Sequence, residues 1–200
     1  MVIVGLTGQT GAGKSTVAAA LAEHGYYHVD ADKIAKALMD VGSPLLEDLA
    51  DEFGKEVINS DGSLNRRLLA TRAFSTRENT AKLNAITHPA ITKKMWEEIK
   101  RAKKEECPAA IIDAAVLFES GFAENCDIIA VVTAPEEIRQ RRIMVRDGLS
   151  VQEAQRRMSA QQNESAYTDK ADIVIKTETD MEQNKGINKL IGMIESKIIG

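Results

Sequence analysis

Eight consecutive residues near the N-terminus constrain this chain more than any others: Gly8-Gln9-Thr10-Gly11-Ala12-Gly13-Lys14-Ser15, followed by Thr16. They match G-x-x-x-x-G-K-S, in which each residue type has a physical task. Glycine lets successive backbone N–H groups turn toward phosphate oxygens with no Cβ in the way. A helix opening at Lys14 adds its N-terminal dipole to the same anion. The Lys14 ammonium reaches the β- and γ-phosphates, and the Ser15 hydroxyl is suited to ligate Mg²⁺. At ordinary residue frequencies a chance match in a chain of 200 residues is on the order of 1%. Context narrows it further. Residues 2–7 are an apolar, β-rich run, so a buried strand leads into the loop. Residues 14–22 pattern as a helix, with Gly25 as its stop. Residues 8–16 are therefore expected to hold a nucleoside triphosphate.

Residues 26–30 read as a second strand and 31–39 as a second helix. Strand–helix–strand–helix argues for parallel pairing and an α/β fold. The middle of the chain differs. Residues 45–53, 66–74, 77–86 and 91–105 all pattern as helices, some separated by the turns Gly42-Ser43-Pro44 and Asp61-Gly62-Ser63. His88 precedes Pro89 and is biased away from helix, which sets a break there. Such a stretch predicts a helical insertion over about 40–107. Strands resume at 110–116 and 127–133, and a helix covers 135–146. Ser150 and Glu153 form a capping box ahead of another helix. Residues 171–176 are a fifth strand, and an amphipathic helix closes the chain over 180–198. The expected architecture is a single three-layer α/β domain with a mostly parallel five-stranded sheet. A lid over about 139–160 would hinge near Asp147-Gly148.

The formal net charge is −4, so no basic field advertises nucleic acid or a membrane surface. No segment approaches the roughly 20 apolar residues of a membrane span. The N-terminal apolar run is too short for a signal peptide and has no basic flank. Cys107 and Cys126 are too far apart for a CxxC pair and read as free thiols. A cytoplasmic location is expected, with a monomer favoured and an oligomer as the alternative.

Asp30 and Asp32 lie at the C-terminal end of the second strand, the edge where open α/β sheets bind ligands. A carboxylate there can accept a proton from an attacking hydroxyl and can meet Mg²⁺ directly or through water. Asp30 suits a helix N-cap, leaving Asp32 for chemistry. There is no Asn-Lys-x-Asp guanine-reading motif and no evident hydrolytic Gln, so a GTPase fits badly. A kinase needs an acceptor site, which the helical insertion could supply. Arg142 and Arg146 are four apart, share a helix face and can clamp phosphates. Arg139 and Arg141 lie nearby without an assigned task. Closure of the lid would keep water from the γ-phosphate. Arg66 either meets a phosphate of the acceptor or pairs with a surface carboxylate. His88 has no second His at metal-ligand spacing, so it reads as acceptor-site or helix-break structure. Glu119 either lines the site or has a structural partner. Asp113, at or near the end of a buried strand, is a candidate for water-mediated Mg²⁺ binding.

These residues together strongly resemble the dephospho-coenzyme A kinases. The likeness begins with Gly5-Leu6-Thr7-Gly8 and the phosphate loop, then Asp30-Ala31-Asp32-Lys33-Ile34-Ala35. It continues through Asp61-Gly62-Ser63-Leu64-Asn65-Arg66 and Leu83-Asn84-Ala85-Ile86-Thr87-His88-Pro89. It returns at Val116-Leu117-Phe118-Glu119, at Arg142 with Arg146, at 157–161, and at Ala171-Asp172-Ile173-Val174-Ile175. The resemblance implies a P-loop kinase fold with a helical acceptor domain and a mobile lid. It implies transfer of the γ-phosphoryl of ATP to the ribose 3′-hydroxyl of dephospho-coenzyme A, with Mg²⁺. Asp32 would be the general base, and the region carrying Arg66 and His88 would face the coenzyme A moiety. Two positions depart from the family pattern: Ala115 stands where Pro is usual, and Lys176-Thr177 where Asn is favoured near the adenine. Another P-loop kinase of nucleotides or metabolites is the nearest alternative. A regulatory nucleotide switch, with no acceptor, is a more distant one.

Overall fold

A central parallel strand needs a run of residues buried on both faces, and residues 2–8 supply one. In the computed structural model, which describes residues 1–199, β1 (Val2–Gly8) lies between β3 (Ala109–Asp113) and β4 (Ile128–Thr133). β2 (Tyr27–Asp30) pairs with β3, and β5 (Ile173–Lys176) with β4. All four pairings are parallel, in the order β2-β3-β1-β4-β5. The chain fills one side of β1 and then the other. The crevice beyond the C-terminal end of β1 is thus the switch point where such sheets bind ligands, and the phosphate loop starts there.

Helix α1 (Lys14–Glu23) follows the loop. Its Val17, Ala18 and Leu21 join Val4, Leu6, Ile111 and Val132 of the sheet in one core. The chain ends on α9 (Asp180–Ile199), which adds Ile187, Leu190 and Ile194 to that core. Between β4 and β5 come α6 (Glu136–Asp147), α7 (Val151–Ser159) and α8 (Ser165–Thr168). The Ser150–Glu153 capping box is formed in both directions at the start of α7. Ile143, Ala154 and Met158 make a small core joining α6 and α7.

The chain divides into two compact units, residues 1–30 with 99 onward, and Ala31–Glu98. The second has its own core, built by Leu45, Leu46, Leu49 and Phe53 of α3 (Leu45–Phe53) with Leu69 and Ala73 of α4 (Arg66–Ala73). It begins with α2 (Ala31–Ala37) and carries most of α5 (Arg77–Lys104). Asn65 caps α4 by accepting from the Leu68 N–H at 3.0 Å.

Two expectations are corrected. The strand expected over 110–116 ends at Asp113. Beyond it Val116 is exposed and Leu117 packs: a Cβ added to Gly5 would lie 2.7 Å from Leu117 Cδ2, so Leu117 lies hard against the bare glycine backbone. The helices expected over 77–86 and 91–105 are a single helix, with Pro89 and His88 inside it. Pro89 and Ala85 are both exposed. The turn that loses a backbone hydrogen bond to the proline ring thus lies on the exposed side of the helix, where the loss is mildest.

Candidate active site

The loop between β1 and α1 is shaped by close approaches that only glycine permits. A Cβ on Gly8 would sit 2.3 Å from the Val132 carbonyl oxygen. Gly11 has φ +78, and a Cβ there would lie 2.6 Å from the Arg139 carbonyl oxygen. Two glutamines beyond α7 hold the loop from outside. Gln161 Oε1 accepts from the Thr10 N–H at 2.8 Å, and Gln9 Nε2 donates to the Gln162 carbonyl at 2.8 Å. Ser15 and Thr16 are exposed on the first turn of α1, whose N-terminal dipole points at the loop.

Lys14 reaches down to the sheet, where its Nζ donates to Asp113 Oδ1. Asp113 ends β3 and is only 5% exposed. His28 Nε2 lies 3.4 Å from its other oxygen, Oδ2. Burial pushes the Asp113 carboxyl up, but the His28 hydrogen bond and the Lys14 charge outweigh burial and hold it below the usual carboxylate value. A buried carboxylate persists as an anion only with such partners. His28 was not singled out from sequence. The available signal was its place on β2 two residues before Asp30, the same side of the strand as a residue already suspected.

Arg142 is anchored by its own loop and by the end of β5. Its Nη1 donates to Thr177 Oγ1 at 2.9 Å and to the Gly11 carbonyl at 3.3 Å, and its Nη2 to the Thr177 carbonyl at 2.7 Å. Thr177 is 2% exposed, and its hydroxyl donates to the Ala12 carbonyl at 2.5 Å. The position where the sequence departs from the family's Asn thus joins the loop to α6. Arg146 forms a bidentate pair with Asp147, both bonds at 2.8 Å, and Arg157 reaches the same carboxylate at 2.7 Å. Glu119 is exposed and accepts from Gln162 Nε2 at 3.4 Å.

Three of the expected site residues belong to the second unit. Asp32 is exposed on the first turn of α2. Arg66 donates to the Lys36 carbonyl at 3.3 Å and lies 3.8 Å from Asp40 Oδ1. His88 is half-buried on α5, and burial lowers its pKa, which favours the neutral ring.

Among the described residues no group of three or more His, Cys, Asp or Glu could hold a metal ion. Mg²⁺ asks for no such cage when phosphates supply most of its ligands, since one or two protein oxygens suffice. An exposed hydroxyl such as that of Ser15 is an oxygen of that kind.

A parallel sheet with a phosphate loop at its switch point, followed by a helix of arginines bound back to that loop, defines a P-loop kinase. A family model described as dephospho-CoA kinase matches residues 2–183, and the dephospho-CoA kinase of Corynebacterium jeikeium is 42% identical over 183 residues, 92% of this chain and 94% of that protein. Among solved structures, TT1252 from Thermus thermophilus is similar at TM-score 0.84 and 34% identity over 95% of each chain, and the dephospho-CoA kinase from Campylobacter jejuni at TM-score 0.70 and 28% identity over 98% of each. The chain belongs to the dephospho-CoA kinase family, whose members are kinases that transfer a phosphoryl group to a hydroxyl.

Proposed function

We propose that this chain transfers the γ-phosphoryl of ATP to the ribose 3′-hydroxyl of dephospho-coenzyme A, giving coenzyme A and ADP. The observation that carries this is the extent of the family match, residues 2–183, which includes the helical unit as well as the phosphate loop. The loop 8–16 receives the ATP phosphates on its backbone N–H groups, and Lys14 leaves Asp113 for the β- and γ-oxygens. Asp113 keeps His28 when Lys14 departs. Asp32 takes the proton of the attacking hydroxyl. The new oxygen–phosphorus bond forms as the bond to the β-γ bridging oxygen breaks, and the negative charge leaves with ADP. Arg142 and Arg146 neutralise phosphate charge, with Arg146 exchanging Asp147 for the nucleotide. Ser15 and Asp32 would hold Mg²⁺, which would supply further charge neutralisation during transfer.

The helical subdomain, about 40–107, receives the acceptor, with Arg66, His88 and Glu119 as its contacts. A neutral His88 offers a hydrogen bond there, not a charge. Residues of about 139–160 close as a lid. The same reading puts the enzyme in the cytoplasm, supported by its two free cysteines, Cys107 and Cys126.

The test is acceptor-dependent release of ADP from ATP and Mg²⁺, with dephospho-coenzyme A beside nucleoside monophosphates and small hydroxylated metabolites. Strong turnover with dephospho-coenzyme A alone, and a product heavier by one phosphoryl group, is expected. Turnover only with another panel member discards this acceptor and keeps the kinase.

A further inference from the structure

Among the described residues of the first unit, one buried charge has no counterpart. Arg139, on the first turn of α6, is 8% exposed, and its Nε and Nη1 have no hydrogen-bond partner among the described residues. No carboxylate there forms an ion pair with it. A buried guanidinium left without an anion is costly, so a fold that keeps one has another use for it.

Three observations indicate that use. Arg139 lines a cavity of about 1030 Å³ whose wall includes Gln9 of the phosphate loop and Gln161, which holds that loop. Its own backbone abuts the loop, as the 2.6 Å approach of a Gly11 Cβ to its carbonyl oxygen shows. It also stands three residues before Arg142 and seven before Arg146, spacings that put all three on one helix face. Arg156 adds a second cation to the cavity. Glu136 and Glu164 line it as well, but neither pairs with Arg139.

We propose that Arg139 is a third phosphate-contacting arginine, whose guanidinium meets the anionic phosphoryl group during transfer. This rests on the kinase reading above and adds to it a residue for the catalytic step. Arg142 already commits three of its five donors to Thr177 and Gly11, and Arg146 two of its own to Asp147. Arg139 is the arginine of this face whose donors are uncommitted before nucleotide arrives. A guanidinium already desolvated and uncommitted needs little reorganisation to stabilise developing charge.

The experiment uses the full chain with Arg139→Met and Arg139→Lys. Wild-type turnover with dephospho-coenzyme A is read first, because its absence defeats the proposed acceptor and not this inference. Four quantities are then compared: kcat, the ADP dissociation constant, the gain in ADP affinity on adding aluminium fluoride, and the melting temperature. Arg139→Met is expected to lower kcat by on the order of 10²–10³, keep ADP affinity within about threefold, and lose the aluminium fluoride gain. Removal of an unpaired buried charge is expected to leave its melting temperature at or above the wild-type value. Arg139→Lys is expected to recover part of both losses. A kcat within about threefold of wild type overturns the proposal, as does a melting temperature that falls in both variants in step with activity. If the acceptor proves to be another molecule, the aluminium fluoride gain in ADP affinity, measured without acceptor, still decides the role of Arg139.

Discussion

Arg142 holds Thr177 by two bonds, to its hydroxyl at 2.9 Å and its carbonyl at 2.7 Å. The same hydroxyl donates to Ala12, so one buried oxygen links β5, α6 and the phosphate loop. Thr177→Val keeps the shape and removes that oxygen, leaving the Ala12 carbonyl and one Arg142 donor unmet. The expected cost is about 1–3 kcal/mol of stability, read by urea unfolding. A several-fold rise in the KM for ATP is expected with it, and Thr177→Ser should restore both. A Thr177→Val protein as stable as wild type would show that the hydroxyl link is dispensable.

Asp113 gives the chain a defined response to acid. A carboxyl whose folded pKa is depressed contributes stability above its unfolded pKa, and that contribution is lost as pH falls through the folded value. Burial pushes Asp113 up, but His28 and Lys14 bring the net value down. The wild type therefore keeps this contribution until the pH drops to roughly 4 and below. Lys14→Met removes the ammonium that pairs with Asp113 and moves the loss to higher pH. Urea midpoints measured from pH 7 to pH 3 should begin to fall earlier in Lys14→Met. Parallel curves would count against the ion pair. The same variant should lose most kinase activity.

Asp32→Asn separates proton transfer from nucleotide binding. If Asp32 takes the proton of the acceptor hydroxyl, kcat should fall by ~10²–10⁴. ADP affinity, which depends on the loop 8–16, should change little. Near-normal turnover would remove Asp32 from the mechanism.

The two thiols should differ in reactivity. Burial, with Asp127 nearby, pushes the Cys126 thiol up to about 12. Its sulfur is packed so closely that a Cβ on Gly5 would come within 2.9 Å. At pH 8 its thiolate fraction is on the order of 10⁻⁴, and the thiolate is the reactive form. A disulfide reagent should modify one equivalent, at Cys107, in the folded protein and a second only after denaturation. Two equivalents from the folded protein would contradict the raised pKa of the Cys126 thiol.

Much of this architecture was legible because its signals are local. The apolar run before Gly8, the glycines of the loop and the Ser150–Glu153 box each act within a few residues. They predict a strand, a turn and a capped helix whatever surrounds them. Local rules failed where an element's limits depended on what it packs against. Pro89 looked like a break, yet a long helix with Pro89 and Ala85 facing water absorbs it. Residues 114–116 looked like strand, yet β3 ends at Asp113, and the chain turns to set Leu117 against Gly5.

What the sequence by itself determined is the phosphate loop, the α/β order and the identity of the charged residues available to it. Glycine conformation, hydrophobic period and capping are short-range properties of the chain. Only the tertiary structure decided which charges meet. Lys14 and Asp113 are 99 residues apart, and Thr177 and Ala12 165. No spacing rule reaches across those distances. The parallel sheet brings the ends of β1, β3 and β5 to one edge. There the scarcity of water favours partners for buried polar groups, as Lys14 with Asp113 and Thr177 with Ala12 show.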